Sequence, residues 1–175
     1  RLFGLTNSQG NHGEDVKEYY YYLDATPTHS YLKYLYKYPQ GAFPYDRLVS
    51  ERRGPHQPEF ELEDTGAFDE SRYFDVVVEW AKADPEDLVL SVTVENRGPD
   101  PAPIHLLPQI WFRNVWSWGH PTVARPSLRL DADAIAVEHE VLGRYRFTSD
   151  ERDAAPLFTD NDSNEALLWG AKTVH

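Results

Sequence analysis

Two short stretches concentrate the side chains able to act on a polar ligand. The first is Asn11-His12-Gly13-Glu14-Asp15. An imidazole and two carboxylates within four residues suit a metal ion or sugar hydroxyls. Their spacing matches no zinc pattern, such as two histidines four apart on one helix face, so no metal is expected. Two readings stay open for this loop. Asn11 or Asp15 bonds nearby backbone amides in a structural turn, or His12 and Glu14 face a substrate. The second stretch is Trp111-Phe112-Arg113-Asn114-Val115-Trp116-Ser117-Trp118. On a strand, Trp111 and Arg113 share one face and Phe112 takes the other, with Trp116 and Trp118 at the strand end. Indole beside Arg and Asn suits sugar binding, and it suits a seam between domains equally.

Tyrosine and carboxylate are the other two resources. Eight of the eleven tyrosines lie between Tyr19 and Tyr38. Phenol rings stack on sugars and their hydroxyls bond sugar hydroxyls, yet tyrosines in such a cluster serve packing, or docking against another domain, at least as well. Acid–base hydrolysis of a glycosidic bond needs two carboxyl groups flanking it. The chain holds 29 acidic residues, including Asp64, Asp69-Glu70 and Asp131 with Asp133. No pair is marked out by the sequence, so these read as solvated surface and no catalytic residue is assigned.

Other chemistries are absent from the sequence. There is no cysteine, which removes disulfides and thiolate metal sites. Gly-x-Ser-x-Gly, a phosphate loop and a dinucleotide fingerprint are all missing, so no cofactor is expected. The formal net charge of −12 opposes nucleic acid, whose phosphates need clustered Lys and Arg, and it opposes anionic membrane surfaces. No apolar run approaches the roughly 20 residues of a membrane span.

The positioning elements follow from the periodicity. Gly, Asn and Ser make residues 4–13 a loop, and 16–23 is a short aromatic run, strand or extended loop. Thr26-Pro27 reads as a helix N-cap and first turn, and Tyr31, Tyr34, Leu35 and Tyr38 recur at helical spacing up to Pro39. A second short helix is expected between Pro44 and Gly54. Period-two alternation begins at Tyr73. Phe74, Val76, Val78 and Trp80 form one strand face, and Leu88, Leu90, Val92 and Val94 another, with a turn at Asn96-Arg97-Gly98-Pro99. Ile104, Leu106, Ile110 and Phe112 continue the alternation, with Pro108 marking an edge or bulge. Weaker strands are expected near 127–130, 134–141, 143–148 and 166–171. Short strands in series, with few helices after residue 55, predict a mainly β chain: an antiparallel β-sandwich with one or two short helices in its first third.

Five stretches carry a resemblance. They are Arg1 to Tyr20, Asp24 to Gln40, Asp64-Thr-Gly-Ala-Phe, Arg72-Tyr-Phe-Asp-Val, and Leu107-Pro-Gln-Ile-Trp-Phe-Arg-Asn-Val-Trp-Ser-Trp. In order from residue 1 to about 170, they resemble bacterial members of glycoside hydrolase family 63, relatives of the processing α-glucosidase I. The resemblance implies an N-terminal β-sandwich followed by an (α/α)6 barrel, with inverting hydrolysis of α-glucosidic bonds by an Asp acid and a Glu base on that barrel. No position here matches those two residues.

Residues 1–175 therefore read as one piece of such an N-terminal β domain. Its expected partners are its own C-terminal (α/α)6 catalytic domain and an α-linked sugar. A methionine-free chain starting at Arg1, with an apolar stretch Leu167–Ala171 at its end, reads as an internal segment of a longer protein. The candidate substrate-binding residues are Asn11, His12, Glu14, Asp15, Trp111, Arg113, Trp116 and Trp118. A free-standing carbohydrate-binding module and a purely structural domain are the competing readings.

Overall fold

The computed structural model describes residues 19–51, 53–58, 60–116, 124–151, 153–161, 166 and 170. Contacts divide the chain into two compact units, Arg1–Leu106 and Leu107–His175. Both are built on antiparallel strands, the mainly β class that the alternating segments predict.

The first unit is a four-stranded meander ordered β1 (Tyr19–Ala25), β2 (Tyr31–Pro39), β3 (Tyr73–Asp84) and β4 (Asp87–Asn96). The helix expected over Tyr31–Tyr38 is the central strand β2. Tyr31, Tyr34, Leu35 and Tyr38 fit a helical period, but Leu32, Tyr34, Tyr36 and Tyr38 also fit period two. β2 pairs along its length with β1 on one side and β3 on the other, and aromatic and β-branched neighbours favour that arrangement. Thr26 is likewise no helix cap. Its backbone N–H donates to the Tyr31 carbonyl at 3.0 Å, and its Oγ1 accepts the Tyr31 N–H at 3.1 Å. Thr26-Pro27-Thr28-His29-Ser30 is thus the closed end of the β1–β2 hairpin.

Residues paired across an antiparallel ladder share a sheet face. One row runs Tyr20, Tyr36, Val76, Val94, the next runs Tyr22, Tyr34, Val78, Val92, and a third joins Leu32, Trp80 and Leu90. This even-numbered face is apolar. The odd-numbered face is charged: Lys33 lies opposite Glu79 and Lys37 opposite Asp75, with N–O separations of 3.3 and 2.6 Å. Slipping β2 by one residue would carry its tyrosines and lysines to the wrong faces, so the pairs fix the register.

The long β2–β3 connection builds its own small core. Helix α1 (Tyr45–Ser50) confirms the helix expected before Gly54. Its Leu48 packs with fully buried Leu62, and Tyr19, Phe43, Phe60, Ala67 and Phe68 close around them. Arg53 pairs with Asp64 at 3.2 Å, and Asp64 Oδ2 accepts the Glu61 N–H at 2.9 Å. A 3-10 turn at Glu63–Thr65 then ends on Gly66 at φ 75°, where a side chain would be strained.

The second unit is a three-stranded meander of β5 (Ser127–Asp131), β6 (Ala134–His139) and β7 (Gly143–Phe147). Central strand β6 buries Ala134 and Val137, and the three strands lie where alternation predicts them. Two expected strands are corrected. Residues 101–115 form no strand, because Pro101, Pro103 and Pro108 each lack a ladder donor. The strand expected at 166–171 falls mostly outside the described residues. There the Gly170 N–H donates to the Ala166 carbonyl at 3.1 Å, a helical rather than a strand bond.

Candidate functional site

Of the candidate residues, Asn11, His12, Glu14, Asp15 and Trp118 lie outside the described residues. Trp111, Arg113 and Trp116 are described. Although no strand forms there, the segment keeps the alternation of one. Trp111 and Arg113 are exposed, Phe112 and Asn114 half-buried, and Trp116 is half-buried too. At 70% exposure Trp111 offers its indole almost whole to the surface.

A side chain replaces the missing ladder. The Phe112 N–H donates to Asn161 Oδ1 at 2.6 Å, and Asn161 Nδ2 donates to the Phe112 carbonyl at 2.8 Å. Asn114 Nδ2 donates in turn to the Asn161 carbonyl at 3.1 Å. A carboxamide carries one donor and one acceptor side by side, so Asn161 satisfies both backbone groups of one residue as a neighbouring strand would. The adjacent Asp160 pairs with Arg125 at 2.6 Å.

Phe112 is held from its side chain as well. Its ring lies 5.1 Å from the His139 ring, tilted by 32°. His139 Nδ1 accepts the N–H groups of Val141 and Leu142 at 3.1 and 3.2 Å. An acceptor nitrogen carries no proton, so this geometry belongs to the tautomer with hydrogen on Nε2. His139 thereby links the β6–β7 turn to the segment that carries Trp111. His139 and Asn161 were missed as site residues, since nothing in the sequence marks the pairing of Phe112 with Asn161 across 49 positions.

The tyrosine cluster resolves into two roles. Tyr20, Tyr22, Tyr34 and Tyr38 lie on the even-numbered face and are exposed, together with Leu88, Leu90 and Val92 of β4. Taking about 200 Å² for a fully exposed side chain of this size, their exposed parts total roughly 650 Å², above the usual largest patch of a monomer surface. Tyr31 belongs to the charged face, where its Oη donates to Glu79 Oε1 at 2.6 Å. That bond, reinforced by Lys33, holds the Glu79 carboxyl below the usual carboxylate range, and the same bond pushes the Tyr31 hydroxyl up. Burial pushes the Tyr19 hydroxyl up, and Glu63 beside it adds to the effect. Desolvation works against the Lys37 ammonium, but the bond and charge of Asp75 outweigh it and hold the ammonium above its ordinary value. These are cross-strand and loop-bracing contacts. Among the described residues, no three His, Asp or Glu side chains gather as a metal ion would require.

Fold and site thus define an antiparallel β protein with an apolar sheet face and an exposed tryptophan beside an anchored phenylalanine. No family model matches the chain, and no solved structure matches it. It is similar to a Saccharomyces cerevisiae protein described as "Uncharacterized protein YMR196W", at 43% identity over 205 aligned positions that take in 97% of this chain. The chain spans 19% of the length of that relative.

Proposed function

We propose that this chain is a non-catalytic β domain of an inverting α-glycosidase, which braces a helical catalytic barrel and lends the Trp111 segment to the rim of its active site. The observation that carries the reading is the even-numbered face of the four-stranded sheet. A sheet puts its charged face to water and its apolar face against another layer. Here the ion pairs sit on the odd-numbered face, while Tyr20, Tyr22, Tyr34, Tyr38, Leu88, Leu90 and Val92 opposite remain exposed. That face suits a body of the same parent protein. The ordered motifs that resemble glycoside hydrolase family 63 supply the chemistry, and a relative about five times longer than its matched part leaves room for a barrel.

In that chemistry a carboxylic acid protonates the leaving oxygen. A carboxylate then activates water on the opposite face of the sugar, the two groups standing about 6.5–9.5 Å apart. Neither role is assigned to a residue of this chain. Its contribution is to shape the rim, with Trp111 stacking on a sugar ring and Arg113 reaching hydroxyls.

The test compares the full-length protein carrying this segment with the 175-residue chain, on α-linked glucosides, mannosides and glycosyl glycerates, with the first-formed anomer followed by NMR. The long protein should release the β-anomer, and the 175-residue chain should release no sugar. Hydrolysis by the 175-residue chain, or none by the long protein on any of these substrates, refutes the reading.

A further inference from the structure

A tryptophan stacks well on a sugar only if its indole plane is already in place, because ordering a mobile side chain and its backbone at the moment of binding costs affinity. Trp111 is 70% exposed and its neighbours form no strand, so neither burial nor a ladder fixes it. Its backbone is fixed from the next residue. Asn161 bonds the N–H and the carbonyl of Phe112 at 2.6 and 2.8 Å, and Phe112 packs its ring on His139. With Phe112 turned inward and its peptide groups anchored, Trp111 is held on the outward side.

We propose that Asn161 is a positioning residue for saccharide contact at Trp111, and that the ligand is an α-linked sugar ring presenting its C–H face to the indole. The proposal rests on the glycosidase reading above and adds a residue to the same rim. Asn161 touches no sugar in this scheme. It sets where Trp111 stands, so its removal weakens ground-state binding and leaves the bond-breaking step alone.

The experiment measures KM and kcat of the full-length protein carrying Asn161→Ala, Trp111→Ala and both changes. Losing the preset indole is equivalent to losing about one hydrogen bond's net worth, which converts to a KM rise of roughly fivefold. Asn161→Ala should show that rise with kcat within about twofold of the starting protein. The double variant should be no worse than Trp111→Ala alone, because both act through one contact. Asn161→Asp keeps the acceptor for the Phe112 N–H and loses the donor. It should fall between, and it decides the matter if Asn161→Ala fails to fold. A lowered melting temperature with unchanged KM, or additive effects in the double variant, overturns the inference while the glycosidase reading stands. A starting protein inactive on every α-glycoside overturns both.

Discussion

Leu62 is fully buried between Leu48 and a ring of Phe43, Phe60, Ala67, Phe68 and Tyr19. Cutting it back to alanine removes three carbons from the centre of that cluster. At about 0.8 kcal/mol per buried methylene, the transfer loss is roughly 2.4 kcal/mol. The surrounding rings are held by other contacts: Phe68 stacks on Tyr19 at 5.4 Å and meets Tyr73 edge-on at 5.5 Å. They will not collapse freely into the gap, and an unfilled cavity adds about 1 kcal/mol or more, so Leu62→Ala should cost about 3–4 kcal/mol. Urea unfolding of the 175-residue chain, followed by near-ultraviolet circular dichroism of the stacked aromatics, measures this. With a slope near 2 kcal/mol per molar urea, the midpoint should fall by roughly 1.5–2 M without a change of slope. Leu157, 80% exposed, is the control, and Leu157→Ala should change stability by less than about 0.5 kcal/mol. A cost below about 1 kcal/mol for Leu62→Ala would mean that the connection is not packed as described. The Asp64–Phe68 motif would then need another explanation for its position.

Two further outcomes test the charged face and the second unit. A carboxyl whose folded pKa is depressed stabilises above its unfolded pKa, and that stability goes as pH falls through the folded value. Tyr31→Phe removes the bond that contributes most to holding Glu79 down. The Glu79 carboxyl should therefore titrate higher in carbon-detected NMR, and the stability that Glu79 contributes above its unfolded pKa, which is lost as the pH falls, should be smaller; an unmoved Glu79 titration would refute the contact. For His139, long-range proton–nitrogen spectra should show hydrogen on Nε2 of the neutral ring, since Nδ1 accepts the Val141 and Leu142 N–H groups. Replacing His139 by alanine should cost about 1–2 kcal/mol and shift the Phe112 resonances; a Phe112 spectrum left unchanged would break the proposed link.

Strands β4, β5 and β7 were legible because each alternates apolar and polar residues over about five positions, and β3 because Phe74, Val76, Val78 and Trp80 fall on one face; one buried face imposes that pattern on a half-buried strand. The short helix was legible too, bounded by Pro44 and Gly54. The candidate site was legible only as residue types. Trp111 and Arg113 are both exposed and Phe112 between them is half-buried, but the ladder expected around them does not exist. What takes its place is an asparagine 49 residues away, and composition carries no trace of such a distant bond.

Tyr31–Tyr38 shows where the sequence alone stops. Its aromatics satisfy a helical and a strand period at once, so local spacing determined that the segment is amphipathic without choosing the element. The choice came from its neighbours: β1 and β3 offer backbone partners on both edges, and Asp75 and Glu79 stand opposite Lys37 and Lys33. Composition and periodicity by themselves determined a mainly β chain with its aromatics gathered in one place. The tertiary structure alone decided that Tyr20, Tyr22, Tyr34, Tyr36 and Tyr38 share one sheet face while Tyr19, Tyr21 and Tyr31 take the other, and that a side chain anchors Phe112 beside the exposed tryptophan, because both depend on which distant backbone groups come within hydrogen-bond reach.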